Sequence, residues 1–182
     1  MDVKEAIESR RAWRSLVPVS IERDTIEELA RCASLSASCY NKQPWRYDFV
    51  AGGNKLDEMR GALAKGNEWA HKASMIIAVH SKVEDDCLVA GREYYLFDTG
   101  MATALLILRA VELGLVAHPI AGFDEERVKE TLGLGGEETV ITLLIVGKQA
   151  DGIDPGLTPW QKESEEQRPP RMPLEEFVRI FD

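Results

Sequence analysis

The stretch from Gly100 to Gly114, GMATALLILRAVELG, constrains the fold more than any other part of the chain. Its spacing predicts a helix over about 92–113 that is apolar on nearly every face. Asp98, Arg109 and Glu112 interrupt it, and no run of about 18 uncharged residues exists, so it is not a membrane span. A helix this apolar must be covered on all sides, at a domain centre or at a subunit interface. Gly114 supplies its stop. The chain has 182 residues, the size of one domain, and that is enough to build a core around such a helix.

Around this helix the sequence alternates between helical and strand periods. Asp2 can cap a first helix to about Ser9, with Val3, Ala6 and Ile7 at helical spacing. A second helix is expected from Asp24, whose side chain would pair with Glu27 in a capping box. Its inner face would be Ile26, Leu29, Ala30 and Ala33. Arg46–Ala51 alternates at Tyr47, Phe49 and Ala51 and reads as a strand, followed by a Gly52-Gly53 turn and a short helix over 55–64. Met75–His80 and Thr139–Gly147 are compact apolar runs rich in β-branched residues, hence buried strands. A helix is expected over 124–132. The glycines at 133, 135 and 136 follow a helix and precede a strand, the reverse of a dinucleotide fingerprint, and read as a helix stop. Residues 148–172 are polar and proline-rich without periodicity and read as a long loop, after which Leu174–Phe181 turns amphipathic. The expectation is an α+β fold with one domain over 1–182, in which 148–182 forms a tail laid across a surface.

Charge and cysteine usage exclude several functions. Lys and Arg number 22 against 31 Asp and Glu, a net charge of −9 that repels nucleic acid. Cys32, Cys39 and Cys87 are odd in number and lack C-x-x-C spacing, and His71, His80 and His118 show no H-E-x-x-H. Neither a disulfide framework nor a metal site is expected. The charged, helical N-terminus is unlike a signal peptide, so a cytoplasmic location is the default.

Two local features could carry chemistry. Arg10, Arg11 and Arg14 repel one another unless an anion sits among them, and arginine forks suit phosphate oxygens. The alternative is that they complement the end of the first helix dipole. Ser36–Trp45 gathers hydroxyls and carboxamides able to read a heterocycle with alternating donors and acceptors, or simply forms a helix-ending turn. Cys39 within it is either a reactive thiol or, more commonly for this residue type, a small packed side chain.

Ser9-Arg10-Arg11-Ala12-Trp13-Arg14 and Ser38-x-x-Asn41-x-Gln43-Pro44-Trp45 resemble the nitroreductase family of FMN-dependent oxidoreductases. Further similarity follows in chain order at Gly66-Asn67-Glu68-Trp69, Pro119–Asp124 and Arg171–Glu176, and so spans essentially the whole chain. The resemblance implies a nitroreductase-like fold, a mixed sheet flanked by helices, in a homodimer. The apolar helix would lie at the interface, with FMN between the subunits. Arg10, Arg11 and Arg14 would hold the FMN phosphate and flavin edge, with Ala12 in the position that often carries Ser. Ser38 and Asn41, with Gln43 beside them, would approach the flavin from the partner. Asn67 would bond the flavin edge or ribityl chain, and Ala121 and Gly122 would present backbone near its N5 face. The tail would embrace the partner with Trp160 as apolar anchor, bringing Arg171 and Arg168 to a phosphate. Ala37 replaces a frequent Pro, and Ala121 stands where some members place Glu. Helical insertions that roof the pocket in longer members are absent, which implies an open site.

The activity implied is transfer of electrons from NAD(P)H through flavin N5 to an electron-poor acceptor such as a nitroaromatic, quinone or enone. The flavin carries the chemistry, so no side chain is assigned as catalytic. The alternatives are a specialised flavoenzyme of the same fold, a dehalogenase or flavin-degrading enzyme, or a flavin-binding sensor or storage protein with little turnover.

Overall fold

The computed structural model describes residues 1–181. At its centre is β7 (Thr139–Gln149), which pairs with β3 (Met75–Ser81), β6 (Val116–Ile120) and, through its last residues, β1 (Leu16–Val17). β2 (Arg46–Val50) completes the sheet beyond β3. Strands β3 and β7 alternate in what they touch along the run that pairs Met75–Ala78 with Leu143–Val146, before a bulge at Val79/His80 shifts the register. Met75, Ile77, Val79, Leu144 and Val146 face one cluster, while Ile76, Ala78, Leu143 and Ile145 face the other. That is the period of two expected of a strand covered on both faces. All pairings among the described residues are antiparallel, where the resemblance implied a mixed sheet.

One face of the sheet is covered by α2 (Arg23–Ser34) and α4 (Tyr95–Glu112), through Leu29, Ala33, Ala102, Leu106, Ile107 and Ala110. The other is covered by α3 (Gly53–Gly61) and α5 (Glu125–Leu132), through Leu56, Met59 and Val128. α1 (Val3–Ser9) starts with a full capping box between Asp2 and Glu5. The expected Asp24–Glu27 box does not form. α2 begins a residue earlier, after Glu22, so Asp24 lies inside the first turn, where its charge favours the helix dipole. Gly133 ends α5 in the left-handed conformation, φ 73°, which a helix-stopping glycine tolerates without a Cβ clash.

The apolar helix differs from expectation at its start and on one face. Residues Leu88–Val89 (β4) and Arg92–Glu93 (β5) form a hairpin closed at Ala90-Gly91, both with positive φ, so the helix begins at Tyr95 rather than Arg92. Its inward side is buried, but Leu96, Phe97 and Leu105 are exposed. Burial all round is not achieved within one chain.

The tail also departs from the loop reading. Thr158 caps α6 (Pro159–Glu166) in a box with Gln161, and Pro159 occupies the first helical position. Leu157, Gln161 and Glu165 are buried against the same chain. Beyond Arg171, α7 (Leu174–Phe177) is a single turn, and Met172, Leu174, Phe177, Ile180 and Phe181 are exposed.

Candidate functional site

The docked tail builds a cleft over the arginine cluster. Arg10, Arg11, Ala12 and Arg14 line it from the segment after α1. Trp160, Ser164, Arg168, Pro169 and Arg171 line it from α6 and beyond, around about 190 Å³. One buried carboxylate holds the two walls together. Glu165 accepts the Ser15 N–H at 2.8 Å, the Ser15 hydroxyl at 2.5 Å and the Arg14 N–H. Ser15 Oγ in turn accepts the Asp154 N–H at 2.8 Å. A buried carboxylate is tolerable because these donors replace water.

Five guanidiniums therefore converge on a chain of net negative charge, and none forms an ion pair among the described residues. Arg10 is held below its ordinary pKa by burial and then by the charges of Arg168 and Arg171. Burial lowers Arg14 too, against the opposing charge of Glu165. Both shifts express the cost of burying a guanidinium, and for Arg10 the repulsion of its arginine neighbours adds to it.

The arginines are not equivalent. Arg11 donates to the Ser164 and Glu165 carbonyls at 2.7 and 3.1 Å, at the C-terminal end of α6, and lies over Trp13. Its Nη2 thereby docks the tail helix, while the residue still lines the cleft. Arg168 donates to the Arg10 carbonyl at 2.9 Å. Arg14 donates to Ser164 Oγ at 3.1 Å, with Trp160 and Trp69 under its guanidinium. Trp160 is 64% exposed and borders the cleft rather than anchoring in a core.

Asn67 and Gly122 meet at one corner of the fold. Asn67 Nδ2 donates to the Gly122 carbonyl at 2.9 Å, and Asn67 Oδ1 accepts the Trp69 indole N–H at 3.3 Å. A Cβ on Gly122 would stand 2.6 Å from Asn67 Nδ2, so this contact requires glycine. Ala121 beside it is exposed. Gln161 Nε2 donates to the Gly66 carbonyl at 3.0 Å, which ties this corner to α6.

His118 was not among the expected site residues. It stacks on Trp69 with ring centroids 4.7 Å apart and donates from Nδ1 to the Trp13 carbonyl at 3.0 Å. Burial, with the Arg14 and Arg10 charges adding to it, pushes its pKa down to about 4, so it is neutral at physiological pH. A histidine between two arginine-bearing segments carries no sequence motif that could have announced it.

Ser38, Asn41 and Gln43 do not line the cleft. They lie in the turn after α2, where Ser38 Oγ accepts the Gln43 N–H at 3.0 Å. Tyr40, Asn41 and Gln43 all have positive φ, between 48° and 55°. The Cys39 N–H donates to Asp98 Oδ2 of α4 at 2.6 Å. Cys39, Asp86 and Cys87 also converge here, a grouping that sequence spacing hid because its members come from separate segments. The Cys87 thiol is pushed up to about 11, first by its hydrogen bond with Cys39 and then by burial.

Comparison with known proteins agrees with this geometry. A family model described as the nitroreductase family matches residues 7–67 and 54–148. A Bacillus subtilis protein, an NAD(P)H nitroreductase by name, is 26% identical over 82% of this chain and 90% of its own length. The crystal structure of a nitroreductase family protein from Clostridium novyi superposes with a TM-score of 0.77 at 26% identity, over 83% of this chain and 87% of that one. An Exiguobacterium sibiricum protein crystallised in complex with FMN shares the fold, with a TM-score of 0.81 at 20% identity over 100% of this chain and 98% of that one. The family match runs from the arginine segment through the strained turn, the Asn67–Gly122 corner and the central strand β7, and on that extent the chain belongs to the nitroreductase family.

Proposed function

We propose that this protein is an FMN-dependent oxidoreductase that takes electrons from NAD(P)H and delivers them to a small electron-poor acceptor. The observation that carries the reading is the arginine cleft. Arg10, Arg14, Arg168 and Arg171 leave positive charge uncompensated, and a phosphate monoester supplies two negative charges with oxygens that match guanidinium forks. FMN bound there would supply two-electron chemistry between a nicotinamide and an acceptor.

The chain's own residues orient and exclude. Arg14 is aimed by Ser164 and by the two tryptophans, and Glu165 fixes the wall that carries it. Asn67, locked on the Gly122 carbonyl, presents its remaining donor and acceptor capacity to a heterocycle edge. Ala121 and Gly122 bring backbone close without a bulky side chain. His118 is neutral and buried, and its Nδ1 proton is committed to Trp13, so it serves as a wall and no side chain acts as an acid.

The working unit in this reading is a homodimer. The exposed Leu96, Phe97 and Leu105 of α4 and the exposed apolar residues after Arg171 need a cover, and a second copy provides it. Ser38, Asn41 and Gln43 would then face the partner's flavin, and the last residues of the tail would lie on the partner.

The test compares FMN with riboflavin, which lacks the phosphate. Arg10→Ala removes a charged contact worth about 1.5–3 kcal/mol, so FMN affinity should fall about ten- to a hundredfold. Riboflavin affinity should not change. Equal losses for both ligands, or a protein that takes up neither, would overturn the assignment. Rapid anaerobic bleaching of the bound flavin by NADH or NADPH is expected of a reductase, and slow bleaching would point to flavin storage.

A further inference from the structure

We propose that Cys39, Cys87 and Asp86 form a binding site for a thiophilic divalent cation of the zinc class. The two sulfurs and a carboxylate oxygen of Asp86 all lie within 4.8 Å of one another. They come from two places distant in the chain: Cys39 from the strained turn after α2, and the adjacent Asp86 and Cys87 from the segment before β4. Asp86 is only 5% exposed and Cys87 is buried beside it.

The Asp86 carboxylate is under-satisfied. One oxygen accepts the Cys87 N–H at 2.7 Å, while Oδ2 is buried without a hydrogen-bond donor. Lys42 comes near, but its ammonium goes to the Asp86 backbone carbonyl at 3.4 Å rather than to the carboxylate. Asp98, which accepts the Cys39 N–H, is 2% exposed. A buried carboxylate oxygen without a donor is costly, and a cation held between it and the two sulfurs would offset that cost. Two sulfurs at the same point make that cation a thiophilic one.

The donor set selects the metal class. Two thiolates and one carboxylate suit zinc and exclude the hard cations, which take oxygen alone. A tetrahedral zinc with bonds of about 2.3 Å to sulfur sets its sulfurs about 3.8 Å apart, against an upper bound of 4.8 Å on the separation of the three ligand atoms, so a movement of at most about 1 Å completes the site. Cys39 is half-exposed on a turn and can make that movement. A disulfide would bring the sulfurs to about 2 Å and leave Asp86 Oδ2 as unsatisfied as before. Three protein ligands leave a fourth position to solvent. Asp98 acts from behind, holding the Cys39 N–H at 2.6 Å and so fixing where that sulfur points. On binding, the thiol protons pass to solvent, so affinity rises with pH. The cation would tie the turn that carries Ser38 and Asn41 to the β4–β5 hairpin and the start of α4. That last consequence rests on the flavin reading above, whereas the site itself does not.

The test uses the full-length protein as purified, with whatever flavin it carries. After zinc loading and desalting, elemental analysis should give one zinc per chain, and the zinc absorption edge should report two sulfur neighbours. Competition with a chromophoric chelator should show at least about tenfold weaker zinc binding in Cys39→Ser, Cys87→Ser and Asp86→Asn, and no change in Cys32→Ser. In the unsubstituted protein, zinc should protect Cys39 and Cys87 from alkylation while Cys32 reacts at the same rate with or without it. This arm holds even if a variant fails to fold. No sulfur neighbours, zinc retained by Cys87→Ser, or a Cys39–Cys87 disulfide in protein that binds no zinc would each overturn the site. Flavin content, read separately by visible absorbance, reports on the proposed oxidoreductase function and is independent of these outcomes.

Discussion

Glu165 is the residue whose replacement should most directly separate the cleft from the rest of the fold. It accepts two backbone N–H groups, from Arg14 and Ser15, and the Ser15 hydroxyl, all in a buried setting. In Glu165→Ala the three donors lose their acceptor at about 1–3 kcal/mol each when left unpaired. Water admitted to the space would recover part of that, so a loss of about 3–5 kcal/mol is expected. Glu165→Gln keeps one oxygen for both N–H groups and loses only the hydroxyl bond, at about 1–2 kcal/mol. A domain of this size loses about 2–4 °C of Tm per kcal/mol. The alanine variant should therefore melt about 6–20 °C lower and the glutamine variant about 2–8 °C lower. The assay is thermal unfolding without flavin at one fixed protein concentration, since ligand and association both shift Tm. FMN affinity should fall in Glu165→Ala, because Arg168 and Arg171 leave with the loosened helix, and hold in Glu165→Gln. Equal melting of the two variants would refute the claim that this carboxylate holds the cleft walls together.

Gly122→Ala places a Cβ 2.6 Å from Asn67 Nδ2, so the amide must move off the Gly122 carbonyl, at about 1–3 kcal/mol of stability in denaturant unfolding and with weaker FMN binding. His118 has a folded pKa of about 4 against about 6.5 unfolded, so the unfolded state binds its proton first and stability falls as pH drops through that window. The loss is on the order of 3 kcal/mol, and His118→Gln should flatten the unfolding profile between about pH 6.5 and pH 4. His80 has the opposite sign. Burial opposes its charge, but hydrogen bonds to Asp48 at 3.1 Å and Glu138 at 2.8 Å raise its pKa overall. Its contribution is therefore complete below about pH 6.5 and lost as pH rises through the folded value, and Asp48→Asn should reduce that alkaline loss.

The elements legible in the sequence were those with one unambiguous period. β3 and β7 are buried on both faces, so their apolar runs could only be strands, and α5 announced itself by Asp124 and Gly133 at its two ends. α6 went unread although Thr158-Pro159-Trp160-Gln161 carries a cap, a first-position proline and the box partner. Its polar face hid it, because the two residues it buries most deeply, Gln161 and Glu165, are residue types that usually mark a solvated surface. Their burial depends on N–H donors from residues 14 and 15 and on the carbonyl of residue 66, all distant in the chain, which no local pattern encodes. The same limit applied to the site. Arg10 and Arg14 stood out as a local cluster, whereas the dependence of Arg11 on the end of α6, the stacking of His118 on Trp69 and the meeting of Cys39 with Cys87 are products of tertiary structure alone.

The turn at 38–43 and the outer face of α4 are best understood together. Tyr40, Asn41 and Gln43 each hold a left-handed conformation that costs a non-glycine residue about 1–2 kcal/mol. The cost is met by specific contacts: Ser38 Oγ on the Gln43 N–H, Asp98 on the Cys39 N–H, and Ser81 Oγ on the Pro44 carbonyl at 2.9 Å. A chain that maintains three such residues while leaving Tyr40 89% exposed and both carboxamides in water gains nothing from them by itself. Asp98, which holds this turn, lies on α4 one residue beyond the exposed Phe97. The strained carboxamide turn therefore borders an apolar face that the chain does not cover. Arginines without counter-ions and exposed carboxamides thus occur in one chain at places that do not meet. In the proposed homodimer, two copies packed through the α4 face would bring the turn of one toward the cleft of the other, so that covering apolar surface and completing a cofactor site would be a single event.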